Sequence, residues 1–280
     1  MVHFSFLFKD ILMQNSEKCH ENVWILSGTS DGPIIADKLL SLNYVVFVSV
    51  ISYKASLVYP KKDKLHIITR KILDEVEVRQ FLKKYEIDFI IDATHPFATQ
   101  ISANLAKGCK KSNKMLFRFE RQTEVKSSMN SRFVDNLKGI KITDIKNKNL
   151  LLAIGARSLN EVAEYYMRME VNIFARVLAT QESISKGFSS CISNSNIAIL
   201  NPSKFGENKL EYFLCKNWNI DYILCRDSGS YSQMIWEEIS KRTNIKLFKL
   251  RRPIENKIKY VFSDYDMLVK FISNNLKNIV

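Results

Sequence analysis

The sequence predicts an α/β protein made of two consecutive units, each built on a parallel sheet. Three observations carry this. Short apolar runs at 23–26, 45–51 and 89–91 have the length and β-branched content of strands buried on both faces. Between such runs, apolar residues recur at helical spacing, as in Ile34, Ile35, Leu39 and Leu42. Alternation of the two requires crossover connections, and crossovers join parallel strands.

In chain order, residues 23–26 are the opening strand, ended by the turn SGTSDG, and 34–42 the first helix. A second strand spans 44–51, followed by a polar-faced helix at 75–85, a strand at 89–91, a helix at 98–109 and a strand at 115–119. From Arg121 to Asn149 the pattern gives way to polar sequence, with QTEVKSSMNS reading as a linker. It resumes with a strand at 150–154, the turn GARS and a helix at 159–166. Strands at 171–177, 197–200 and 222–225 come next, then the turn RDSGS, a helix at 231–242 and a last core strand at 245–250. The expected division is therefore an N-terminal domain over 22–135 and a C-terminal domain over 136–280, with the boundary inside the polar stretch. Residues 1–21 read as an N-terminal extension, expected to be disordered and without a role. The two halves echo each other: DATHPF, a helix and NKMLFRFERQ parallel RDSGSYS, a helix and NIKLFKLRRP. Duplication and convergence on one strand-turn-helix-strand module both account for this.

Composition narrows the class. The 280 residues are 46% hydrophobic and 25% charged, the balance of an ordinary folded protein. With 42 Lys+Arg against 29 Asp+Glu the formal net charge is +13, which favours anionic partners or a merely lysine-solvated surface. No recognisable nucleic-acid module or aromatic-interleaved basic stripe accompanies the charge, so no nucleic-acid partner is expected. Five scattered cysteines without a C-x-x-C pair fit reduced thiols in a cytoplasmic protein, and four dispersed histidines give no metal motif. The first 13 residues make a poor signal peptide, and no run of about 18 apolar residues exists to span a bilayer. No metal site and no membrane association are expected.

Ligands of open α/β sheets bind outside the carboxyl ends of the strands, and four turns there are candidates. In the first, Ser27, Gly28, Thr29, Ser30 and Asp31, a glycine bend and two hydroxyls precede a helix N-terminus, a ready anion site. It serves equally as a solvated helix cap, and its G-x-S-x-G spelling gives only a poor hydrolase elbow so early in the sheet. The second holds Tyr53 and Lys54, where a basic residue suits a 2′-phosphate, favouring NADP over NAD. The third brings Asp92, Thr94 and His95 to one turn, with Pro96 suited to a first helical turn. The fourth is in the second half: Arg157 in GARS, and Arg226, Asp227, Ser228, Gly229 and Ser230 in RDSGS. Arg176 and Arg252 add further guanidiniums, which grip carboxylates in a two-pronged way.

DATHPFA, followed by a Q-I-S-x-N helix and a strand ending in E-R, closely resembles the precorrin-6A reductases of cobalamin biosynthesis, the CobK/CbiJ family. The likeness extends from about residue 22 to 272 through ILSGTSDG, where the family has I-L-G-G-T-x-E-A, then G-A-R, A-R-V-L, R-D-S-G and the terminal R-R-P. It implies two Rossmann-like domains with an interdomain cleft, and NADPH-dependent reduction of the precorrin-6A or cobalt-precorrin-6A macrocycle, a tetrapyrrole polycarboxylate. It further implies that residues 27–31 with Tyr53 and Lys54 hold the cofactor's phosphates. Asp92, Thr94 and His95 would stand at the reacting centre, with Thr94 also near the cofactor. Arg121, Arg157, Arg176, Arg226 and Arg252, with Asp227, Ser228 and Gly229, would bind the substrate. Ser27 stands in place of the family's glycine, and S-Y-K-A in place of A-G-R-T, so that Lys54 does an arginine's work. A non-catalytic NADP-binding sensor is the alternative reading.

Overall fold

The computed structural model describes residues 21–72, 74–122, 130–202, 209–253 and 258–276. The expected N-terminal extension (up to residue 20) and most of QTEVKSSMNS lie outside the described residues. Among the described residues the strands form two parallel sheets of six, and contacts divide the chain after Arg121 and after Pro253.

The first unit opens with β1 (Asn22–Ser27) and α1 (Asp31–Ser41). It continues through β2 (Val45–Val50), a one-turn helix α2 (Tyr53–Ser56), β3 (Leu65–Thr69) and α3 (Glu75–Lys84). β4 (Phe89–Ala93), α4 (Thr99–Lys111) and β5 (Met115–Phe119) complete the run. β1 alternates between two cores: Val23 and Ile25 join Phe89 and Ile91 on one face, while Trp24 and Leu26 join Ile90 on the other. A strand apolar at every position is what burial on both faces demands. Trp24 stacks on Phe81 of α3 at 3.9 Å, and its indole N–H donates to Ser49 Oγ at 2.8 Å, so its polar atom is satisfied inside the core. Asn43, Glu86 and Asn113 take positive φ just past α1, α3 and α4, the left-handed stop that turns each helix back toward the sheet.

The second unit begins with β6 (Ser131–Val134), α5 (Ile142–Ile145), β7 (Asn149–Ala153), α6 (Leu159–Met167) and β8 (Asn172–Val177). It proceeds through α7 (Gln181–Phe188), β9 (Ile197–Ile199), α8 (Lys209–Asn217), β10 (Tyr222–Arg226), α9 (Tyr231–Arg242) and β11 (Lys246–Leu250). β12 (Tyr260–Phe262) and α10 (Tyr265–Leu276) close the described chain.

Strand order is β12-β5-β4-β1-β2-β3 in the first sheet and β6-β11-β10-β7-β8-β9 in the second. In both, the strand order reverses at the centre, between β1 and β4 in the first and between β7 and β10 in the second, the doubly wound arrangement. The sixth strands are exchanged: β6 follows β5 in the chain but pairs with β11, and β12 follows β11 but pairs with β5. This corrects the expected domain limits of 135/136, because the last residues pack with the first unit. β12 covers the otherwise open edge of β5, and Leu268 and Ile272 of α10 are fully buried in the core of β1 and β4. Cys109, Cys191, Cys215 and Cys225 are free thiols, and Cys19 lies outside the described residues. Among the described residues no helix is long and apolar enough to cross a membrane.

Candidate active site

In the first unit, parallel pairing sets Ser27 opposite Ala93, so the turns after β1 and β4 lie side by side at the carboxyl edge. Gly28 N–H donates to Ala93 O at 3.4 Å, and Thr29 Oγ1 reaches the same carbonyl at 3.2 Å. A methyl group on Gly28 would stand 3.4 Å from the His95 nitrogen, so the bare backbone there faces the second turn closely. Gly32 is required for another reason. A Cβ on it would fall 2.0 Å from Ser27 Oγ and 2.4 Å from the Tyr59 hydroxyl. Tyr59 is itself buried, which pushes its hydroxyl up to about 12.

Asp92, the last residue but one of β4, has no exposed surface and four donors. Thr94 gives its N–H at 3.0 Å and its hydroxyl at 2.7 Å to Oδ1, and Ser102 of α4 gives its hydroxyl at 2.6 Å to Oδ2. Arg118 of β5, 1% exposed and in register with Asp92, closes the set at 2.8 Å and also donates to Thr94 Oγ1 at 3.1 Å. A carboxylate so enclosed holds a turn; its oxygens are taken up inside the protein. What the turn displays is His95, half-buried, whose Nδ1 accepts the Phe97 N–H at 3.2 Å. In the neutral ring the proton is therefore on Nε2.

The first turn is likewise braced. Asp31, 4% exposed, accepts from Arg121 Nε at 2.8 Å, from the Tyr265 hydroxyl at 2.7 Å and from Thr29 Oγ1 at 2.7 Å. Arg121 also donates to Ser30 Oγ at 2.5 Å. The sequence grouped Arg121 with the substrate arginines; the structure joins it to the glycine turn of the first unit. Tyr53 and Lys54 are exposed on α2, which Ser52 caps by accepting the Ala55 N–H at 3.2 Å, at the carboxyl end of β2.

In the second unit the matching edge carries arginines. Arg226 ends β10 beside Gly155, whose φ of +80° suits glycine alone and whose Cβ would meet the Arg226 guanidinium at 3.6 Å. Burial lowers the Arg226 pKa from its ordinary value, and the nearby Arg157 charge lowers it further. Two guanidiniums placed to repel each other suit an anion. Arg176 of β8 is 7% exposed, and its Nε and Nη2 are buried without hydrogen-bond partners among the described residues. Burial depresses its pKa, with Glu211 acting in the opposite sense. Asp227 is held by Gln233 Nε2 at 2.9 Å, and Arg252 Nε donates to its carbonyl at 2.8 Å. Gly229, at φ +65°, donates its N–H to Gln233 Oε1 at 2.8 Å, and Ser228 Oγ and Ser230 Oγ lie 2.7 Å apart.

Sequence reasoning missed Arg118, Ser102, Tyr265, Gln233, Glu237 and Lys249. Arg118 had a visible signal, a lone cation within an apolar strand, and Lys249 a weaker one, a cation between Phe248 and Leu250. Tyr265 had none, since its partner lies 234 positions away.

Fold and strand-end turns together define a protein of two Rossmann-like α/β domains with an anion-suited glycine turn in one and an arginine edge in the other. The family model for precorrin-6x reductase CbiJ/CobK matches residues 22–273, and the chain belongs to that family. Membership places it among the precorrin-6A reductases, oxidoreductases of cobalamin biosynthesis. It is 29% identical over 260 residues to the cobalt-precorrin-6A reductase of Methanocaldococcus jannaschii, covering 90% of this chain and 98% of the relative. With the Synechocystis cobalt-precorrin-6A reductase it shares 26% over 235 residues, 82% of this chain and 88% of the relative. The solved structure of a CobK precorrin-6A reductase superposes with a TM-score of 0.73 at 16% identity, over 91% of this chain and 96% of that one, a likeness of fold.

Proposed function

We propose that the protein reduces one double bond of the precorrin-6A ring with NADPH, and that the cobalt-containing macrocycle is its substrate. The curated relatives named above, both cobalt-precorrin-6A reductases, favour the cobalt form. The observation that carries the reading is the pairing of two turns in the first unit. Gly28 lies bare against the Thr94–His95 backbone, and the acid behind that turn is wholly enclosed.

The residues present fit the cofactor. Bound there, NADPH would supply a hydride to a ring carbon. The Ser27–Asp31 turn and the N-terminus of the 11-residue helix α1 would hold its phosphates, with the Asp31 charge offset by Arg121. Lys54 would meet a 2′-phosphate, with Tyr53 beside it. Asp92 and Thr94 keep the turn in shape, and His95, once charged to imidazolium, would give a ring proton to the neighbouring carbon and return to the neutral imidazole. Arg226, Arg157, Arg176 and Arg252 would take the acetate and propionate groups, the Asp227–Gly229 turn holding Arg226 and Arg252 in place.

Anaerobic assay of NADPH oxidation with cobalt-precorrin-6A and metal-free precorrin-6A side by side tests this. Faster turnover of the cobalt form is expected. NADPH that binds but is oxidised with neither would leave a cofactor-binding sensor, and faster use of the metal-free ring would reverse the substrate assignment.

A further inference from the structure

Asp31 raises a problem for any anion held at α1. It occupies the first residue of the helix, where the free N–H groups and the positive end of the helix dipole attract negative charge. A loose carboxylate there would compete with a phosphate for the same donors and repel it. Asp31 is not loose. Oδ1 accepts from Arg121 Nε and from the Tyr265 hydroxyl, Oδ2 accepts from Thr29 Oγ1, and the side chain is enclosed. Tyr265 reaches this position from the segment that returns after the second unit. Its ring lies flat on Phe119, with centroids 4.5 Å apart and planes 11° from parallel. Burial and the Asp31 carboxylate push its hydroxyl up to about 12, so it remains a donor at neutral pH.

We propose that Tyr265, with Arg121, is a positioning residue that draws the Asp31 carboxylate aside and so keeps the first turn of α1 open to the phosphates of the cofactor. This rests on the reading of that turn as the NADPH site. The sixth strand exchanged into the first sheet thereby does more than close an edge, because the helix that follows it supplies the hydroxyl that shapes the anion turn.

The test is the NADPH dissociation constant, by titration calorimetry, of the full chain as wild type, Tyr265→Phe, Asp31→Asn and the double variant. Tyr265→Phe is expected to weaken binding about 2- to 5-fold, the range for a charge at a helix terminus. In precorrin-6A turnover the KM for NADPH should rise by the same factor, more than kcat falls. Asp31→Asn is expected to bind at least as tightly as wild type, and the double variant to match Asp31→Asn. A structural role for the hydroxyl would not be cancelled by removing a charge. Equal affinity of Tyr265→Phe and wild type, or a double variant as weak as Tyr265→Phe, would overturn the proposal. If Tyr265→Phe does not fold, Arg121→Gln carries the same expectation and the same cancellation. Wild-type protein that binds no NADPH overturns the cofactor reading itself, a result distinct from firm binding that ignores the hydroxyl.

Discussion

Each sheet buries a cation as the fourth residue of the strand second from one edge, Arg118 in β5 and Lys249 in β11, yet the two are answered differently. Arg118 stands in register with Asp92 and bonds to it directly, both side chains being almost without exposed surface. Lys249 stands in register with Cys225 and turns instead to Glu237 of α9 at 2.9 Å. Gln233 then links Glu237 to Asp227 through its amide, at 2.9 Å on each side. In the first unit the strand-end acid is consumed within the sheet, and the turn beyond it displays an imidazole. In the second unit the acid sits one turn further out, and the strand ends in a guanidinium, Arg226. One architecture thus presents a titratable ring in one unit and fixed positive charge in the other, through a single exchange of which residue faces the buried cation.

The largest effect expected from breaking this contrast is on turnover. His95→Ala should lower kcat with precorrin-6A by about 10²–10⁴, the range for losing a positioned acid, with NADPH affinity little changed. Full turnover in that variant would remove the imidazole from the chemistry. Next comes stability. Arg118→Ala leaves Asp92 buried without its counter-charge and is expected to cost about 3–5 kcal/mol in urea denaturation. Lys249→Ala is expected to cost less, about 1–3 kcal/mol, because the Glu237 side chain retains 26% exposure and can turn to water. Equal costs would mean that the two buried cations are equivalent after all.

Arg176→Lys keeps the charge but not the two-pronged geometry. It should raise the KM for the macrocycle about tenfold, as expected for one charge-assisted hydrogen bond, and leave the NADPH dissociation constant alone. A change in cofactor affinity instead would undo the division of labour between the units. Gly32→Ala would press a methyl into Ser27 Oγ and the Tyr59 hydroxyl and should destabilise by about 1–3 kcal/mol, with Ser27→Gly in the same chain restoring only part of the loss.

The smallest contrast is with alkaline pH, where both units should behave alike. Burial, with Asp92 adding to it, pushes Cys109 up to about 12, and burial with Glu211 does the same to Cys215. Thiols whose folded pKa is raised bind more protons folded than unfolded. Stability is therefore full below pH 9 and declines as pH rises from 9 toward 12. A flat denaturation midpoint across that window would contradict these shifts.

Much of this was legible in the sequence, and the exceptions share a cause. The apolar strands β1, β2, β4, β5, β7, β8, β10 and β11 announce themselves because a strand covered on both faces must be apolar throughout. β3, β6 and β12 do not: all three lie at sheet edges, β3 is only half-buried, and β6 and β12, four and three residues long, sit in polar sequence. β6 and β12 are also the exchanged strands, which is why the expected domain limits missed the return of the last residues to the first unit. Asp92, Thr94 and His95 were visible as polar residues at the end of an apolar run. Their supports, Ser102 and Arg118, come from other elements, and side chains that meet only through folding leave no local pattern.

Reduction of the ring is expected to add a hydride from NADPH and a proton from the His95 turn. Anaerobic single turnover with NADPH deuterated on the nicotinamide, followed by the mass of the reduced macrocycle, tests it most directly. One deuterium is expected in the product from the cofactor and, in a separate run in heavy water with ordinary NADPH, one from solvent. A reduced product with no deuterium from the cofactor, or cofactor bound without any reduced product, would contradict this expectation.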